Sequence, residues 1–164
     1  MHFPPPDVVR VEAFTVLGLS VRTDHALESD PEQARIANLW GRVVSGGLGA
    51  LMDPAHPAPM FGVYHDYASD HLGPYSLTAG VEAAGGVTVP DGIESVSIPA
   101  GNYLRWTSET SVPPEQYGMV LPAMWNTILE FFHEEGRPHR AFGRDFERFE
   151  LDGVVTIQVG LRAD

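Results

Sequence analysis

The stretch FGRDFERFELDGVVTIQVGL, residues 142–161, reads as a hairpin that the chain has already written once as FGVYHDYASDHLGPYSLTAG, residues 61–80. Phe142-Gly143 answers Phe61-Gly62, Asp145-Phe146 answers Asp66-Tyr67, and residues 158–161 (QVGL) answer residues 78–81 (TAGV). Outward from this pair the echo continues: residues 18–22 (GLSVR) recur as residues 101–105 (GNYLR), each after an extended segment with β-branched residues. Between these anchors each half carries a helix pattern. In the first, Asp30-Pro31-Glu32 reads as a helix start with proline in the first turn, Ile36, Leu39, Trp40 and Val43 fall at i, i+3, i+4 and i+7, and Ser45-Gly46-Gly47 ends the run. In the second, Leu121, Met124, Trp125, Ile128, Leu129 and Phe132 form the same stripe, which Glu135-Gly136-Arg137-Pro138 closes. Trp40 and Trp125 occupy matching places.

Each half therefore reads strand, helix, strand, strand, with repeat one over residues 8–83 and repeat two over residues 93–163. Neither half is large enough to cover its own sheet. The expected product is one α+β domain over residues 1–164: pseudo-two-fold, with an antiparallel sheet, two helices and a ligand groove where the repeats meet.

Composition removes several classes of function. The chain has no cysteine, so disulfides, cysteine-held zinc and a thiol nucleophile are excluded, and a reducing cytoplasm is the expected location. Ten basic against 22 acidic residues leave a formal charge of −12. A dispersed negative field of this kind repels phosphate backbones and modestly favours cationic ligands, which argues against nucleic acid as a direct partner. Residues 1–9 (MHFPPPDVV) hold no basic segment followed by an apolar stretch, and nowhere do about 18 apolar residues run together, so no leader or membrane span is expected.

Strand alternation sorts the side chains of the two hairpins. Phe61, Val63, His65 and Tyr67 share one face in the first copy, matched by Phe142, Arg144, Phe146 and Arg148 in the second. Gly62, Tyr64, Asp66 and Ala68 share the other, matched by Gly143, Asp145, Glu147 and Phe149. The apolar first set is assigned to packing against the helices, and the second, with acids beside rings, to a ligand. A carboxylate among aromatic faces suits an organic cation, each desolvated cation–ring contact contributing about 0.5–2 kcal/mol. Glu147, with Tyr64 and Phe149 on its face, is the first candidate; its other reading is a solvated strand glutamate paired with Arg144 or Arg148. In residues 101–109 (GNYLRWTSE), alternation separates Tyr103 from Trp106, and either ring can wall the groove. Trp40 and Trp125 sit on core stripes and can also floor a pocket.

Other chemistries find less support. His65, Asp70 and His71 are metal ligands by type only, since His65 alternates toward the core face and residues 70–74 (DHLGP) read as turn chemistry. The run 133–139 (HEEGRPH) lacks the spacing of a helical zinc motif, no GxSxG elbow occurs, and residues 45–49 (SGGLG) lack the lysine of a phosphate loop. No metal and no cofactor is expected.

The motifs GLSVRT, a helical LW, VYxDYxSDxxGxY, IPAGxYLRW, MWxxIxxFF, RAFxxDFERF and VTIQVGL, spread over about residues 11–162, together resemble the GyrI-like small-molecule-binding family. That family includes the effector-binding domains of AraC-type and multidrug-responsive regulators and stand-alone integron-associated proteins. The resemblance implies the duplicated fold, an aromatic pocket at the repeat junction, and an acidic side chain that receives a lipophilic, cationic small molecule for sensing or sequestration. It also implies that the regulators carry a separate DNA-binding domain, for which this chain has no room, so that a regulator partner protein is expected on the sensing reading. Some relatives are hydrolases that open cyclopropane-containing natural products; on that alternative Glu147 positions or activates water. A third reading is a protein-interaction or inhibitor module, as toward gyrase. Family members often carry an acid where this chain has Ala68, which the hairpin alignment sets opposite Glu147.

Overall fold

Eight strands build one antiparallel sheet: β1 (Asp7–Val11), β2 (Phe14–Thr23), β3 (Met60–His65), β4 (Tyr75–Glu82), β5 (Glu94–Ile98), β6 (Gly101–Thr107), β7 (Asp145–Phe149) and β8 (Val155–Gly160). The structure is a computed structural model and describes residues 2–163. Strand order is β1-β6-β8-β7-β3-β4-β2-β5. Exchanging the first four strands with the last four returns the same order read backwards, the two-fold relation that the repeated anchors predict. Each half opens with one more short strand than expected. These strands are exchanged: β1 pairs with β6 of the other half and β5 with β2, so each half closes an edge of its neighbour.

The helices are α1 (His25–Glu28), α2 (Ile36–Arg42) and α3 (Tyr117–His133). The first predicted helix starts later than Asp30-Pro31. Residues 31–33 form turns instead, and the Glu28 carboxylate accepts the N–H groups of Arg35 and Ile36 at 2.9 and 3.2 Å, so that α1 caps α2. Gly46, at φ 98°, turns the chain out after Val43. Along α3, Val120, Met124 and Ile128 recur every fourth residue and are buried, the single apolar stripe that a helix lying on a sheet requires.

Alternation holds within β3 and β7, but the helices cover the opposite face from the one expected, and Tyr67, beyond the left-handed Asp66 at φ 52°, turns to Asp145 instead of sharing the side of Phe61. Leu39 of α2 and Val43 just after it pack on Leu19, Leu77 and Ala79, while α3 packs on Leu104, Trp106, Phe149, Ile157 and Val159. The cross-strand row Trp106–Ile157–Glu147–Gly62–Ala79–Leu19 therefore runs beneath both helices. The other face, with Phe61, Val63 and Phe146, closes on itself. Phe14 of β2 and Phe146 of β7 have ring centroids 5.3 Å apart although β4 and β3 lie between them, which strands spaced about 4.8 Å apart permit only if the sheet curls. Tyr103, Val16, Val96 and Ile98 complete this second core.

The ladders also shift the alignment of the hairpins. With residues 78–81 laid on residues 158–161, Thr78 pairs with Val63 and Gln158 with Phe146, so Val63 corresponds to Phe146 and Tyr64 to Glu147. Ala68 is not the equivalent of Glu147: it lies in the turn beyond β3, its N–H donated to the Pro74 carbonyl. The second hairpin likewise begins at Asp145 rather than Phe142, because Phe142 takes φ 51° and breaks the extended chain.

Candidate functional site

Glu147 sits in the seam where β7 meets β3, and it is 1% exposed. Its Oε2 accepts the Tyr64 hydroxyl at 2.8 Å and the Trp125 indole N–H at 2.9 Å. Its Oε1 has no hydrogen-bond partner among the described residues. Burial pushes its carboxyl up from the ordinary 4.5 to about 7, against the two donors, which favour the charged form. Burial likewise raises the Tyr64 hydroxyl well above its usual range, with the Glu147 charge adding to it.

Each wall of this site has a cause in the sequence. Gly62 stands directly across the ladder from Glu147. A Cβ there would lie 2.7 Å from Glu147 Oε1 and 3.2 Å from Trp40 Cζ2, so a glycine is what lets the carboxylate and the indole meet over β3. Trp40, from the stripe of α2, packs edge-on against Phe149 at 5.2 Å, and Tyr117 of α3 reaches Phe149 from the other side at 5.1 Å. Trp125, from the stripe of α3, meets Tyr64 at 5.1 Å, and Tyr64 meets Tyr75 at 5.6 Å. Trp40, Tyr64, Tyr75 and Trp125 all remain half-buried, whereas the carboxylate between them is fully buried. Of the residues expected at a site, the structure brings Glu147, Tyr64, Phe149, Trp40 and Trp125 together.

Two others lie elsewhere. Trp106 shares the face of Glu147 but lies two strands away under α3, packed against Phe131 and Phe132 at 5.2 and 6.0 Å. Tyr103 belongs to the opposite core and donates its hydroxyl to the Pro99 carbonyl at 3.0 Å. His65 contacts Thr78 Oγ1 through Nε2 at 2.8 Å and Asp66 through Nδ1 at 3.2 Å, and burial lowers its pKa. Asp70 accepts the Leu72 N–H in the turn. The described residues hold no group of three His, Asp or Glu side chains that could share a metal. An open groove of about 580 Å³ lies against Phe14, Ile98 and Arg144 on the other face and does not reach Glu147.

Sequence reasoning placed Asp145 beside Glu147 but missed its partner. Asp145 is fully buried; its Oδ2 accepts from Arg140 Nη2 and the Tyr67 hydroxyl, both at 2.7 Å, and its Oδ1 accepts the Gly160 N–H at 2.9 Å. The Arg140 guanidinium carbon lies 4.4 Å from the Phe142 ring centroid and within 5.9 to 6.0 Å of those of Tyr67, Phe132 and Trp125. The left-handed backbone at Phe142, costing about 1–3 kcal/mol in a bulky residue, is what places this ring over Arg140. The RAF preceding the strand was the available signal; a guanidinium folding back from outside the strand leaves no periodic trace.

Comparison with known proteins bears on the family and the fold. The model of a family described as integron-associated effector binding proteins, Cass2, matches residues 7–161. No curated protein sequence matches the chain. Among solved structures, an integron cassette protein from the mobile metagenome of Vibrio cholerae, VCH_CASS2, superposes with a TM-score of 0.80 at 24% identity over 98% of each chain. SAV2435, solved bound to tetraphenylphosphonium, gives 0.69 at 14% identity over 99% of this chain and 95% of its own. A putative transcription regulation protein from Staphylococcus aureus MU50 gives 0.66 at 13% identity over 96% and 98%. At these identities the likeness establishes the shared fold.

Proposed function

The chain belongs to the integron-associated effector binding proteins, a small-molecule-binding family, and we propose that its ligand is a lipophilic organic cation whose charge is met by Glu147. The observation that carries this reading is a carboxylate 1% exposed, with one oxygen lacking a donor among the described residues, set among half-buried rings. A buried charge is costly until a counter-charge and hydrogen bonds reach it, so an entering cation gains both the carboxylate and the ring faces. That SAV2435 was solved with tetraphenylphosphonium on the same fold supports the choice of ligand class. Sensing or sequestration is the role that follows, with the helices, which carry Trp40 and Trp125 to the ligand, as the elements that would report occupancy.

Titration of tryptophan fluorescence with tetraphenylphosphonium tests the reading. The parent binds it, triphenylphosphine oxide, a neutral analogue of similar bulk, binds far more weakly, and Glu147→Gln loses about tenfold or more in affinity for the cation, the equivalent of about 1.4 kcal/mol. Equal affinity in parent and Glu147→Gln overturns it. Recovery of the ligand unchanged by mass spectrometry after prolonged incubation separates binding from turnover.

A further inference from the structure

We propose that Arg140 is a built-in occupant of a second cation site, made by Asp145 and the rings around it, and that this occupancy restricts the proposed ligand site at Glu147 to ligands bearing a single positive charge. The inference rests on the cation-binding reading and adds to it a determinant of charge selectivity.

The two carboxylates lie on the same face of β7, two residues apart, so roughly 7 Å separates them along the strand. Both are buried, and both accept a tyrosine hydroxyl on one oxygen. The rings form a continuous row between them: Phe142 meets Tyr67 at 5.7 Å, Tyr67 meets Tyr75 at 6.1 Å, Tyr75 meets Tyr64 at 5.6 Å, and Tyr64 meets Trp125 at 5.1 Å. Trp125 belongs to both ends, its indole N–H on Glu147 and its ring 6.0 Å from the Arg140 guanidinium. Arg140 thus holds, against Asp145, the arrangement of carboxylate and ring faces that the adjoining site offers to a ligand. Its own charge, fixed beside Trp125, repels a second ligand charge at that end, and a guanidinium binds its carboxylate too tightly to be displaced at low cost.

Two probes read this directly: pentyltriphenylphosphonium, and the same molecule carrying a trimethylammonium group on its far carbon, which puts two charges roughly 7 Å apart, about two strand residues. The parent should bind the doubly charged probe no more tightly than the singly charged one. Arg140→Gln should bind it at least tenfold more tightly than the singly charged one, and Arg140→Gln/Asp145→Asn should lose that gain. A tenfold preference for two charges in the parent, no gain in folded Arg140→Gln, or a gain surviving in the double variant each overturns the proposal. Should Arg140→Gln not fold, as circular dichroism reads, Arg140→Met and the comparison in the parent decide it. Failure of the parent to bind pentyltriphenylphosphonium removes the cation reading itself and this proposal with it, whereas binding without the expected selectivity removes only the latter.

Discussion

Asp145 and Glu147 share a strand, a face and an aromatic setting, yet the chain gives one of them a cation and withholds it from the other. Asp145 has Arg140, the Tyr67 hydroxyl and the Gly160 N–H, so all of its charge is answered internally. Glu147 has two neutral donors on one oxygen and, among the described residues, none on the other. Folding tolerates the first because a counter-charge lies against it, and it tolerates the second by raising the affinity of the carboxyl for a proton. The difference separates a carboxylate that belongs to the fold from one held ready for something outside it.

The largest expected effect comes from breaking the Arg140–Asp145 pair. Arg140→Gln leaves Asp145 buried without its counter-charge and should cost about 3–5 kcal/mol in urea unfolding, most of which the added Asp145→Asn restores. A loss below about 1 kcal/mol would mean that Asp145 is no more committed to the fold than Glu147, and the contrast would dissolve.

The second effect concerns pH. The carboxyl of Glu147 is raised in the folded protein from 4.5 to about 7, so between these values the folded state holds a proton that the unfolded state has released. Stability contributed by this group is therefore complete below the unfolded value and falls as pH rises through 4.5 toward 7, by about 3 kcal/mol in total. Urea unfolding of the parent and Glu147→Gln from pH 4 to 8 should show the parent losing that amount relative to the variant. Parallel curves would mean that the carboxylate is already stabilised.

Much of this was legible before any coordinates. The doubled anchors predict the two-fold sheet, and the sequence names Trp40, Trp125, Tyr64, Glu147 and Phe149 as candidates, although it assigns the helices that carry the two tryptophans to the other face. What was not legible has physical reasons. Alternation says which residues share a face but not which face a helix will cover, and the apolar set of Phe61, Val63 and Phe146 serves equally well in a sheet that curls onto Phe14. The opening strands β1 and β5 gain their partners from the other half of the chain, which no pattern within one half reveals. The pairing of Ala68 with Glu147 failed because matched dipeptides such as Asp66-Tyr67 and Asp145-Phe146 occupy a turn in one copy and a strand in the other. Gly62 gave no sign in sequence that the missing side chain leaves room for an acid across the ladder.

That last residue gives a smaller and sharper test. Gly62→Ala places a methyl 2.7 Å from Glu147 Oε1, with Trp40 close on the other side, and should cost about 1–3 kcal/mol by overpacking. It should weaken cation binding while leaving the Arg140–Asp145 pair intact, since neither partner faces that Cβ. Loss of thermal stability without loss of cation affinity would detach Gly62 from the site.

The central claim, that Glu147 receives an organic cation, is tested most directly by the protons released on binding below pH 7. Calorimetric titration of tetraphenylphosphonium at pH 6, in two buffers of different ionisation enthalpy, should show release of close to one proton per ligand in the parent and none in Glu147→Gln. Affinity in the parent should rise about tenfold per pH unit below about 7 and level off above it. Tight binding with no proton released and no dependence on pH would contradict the account.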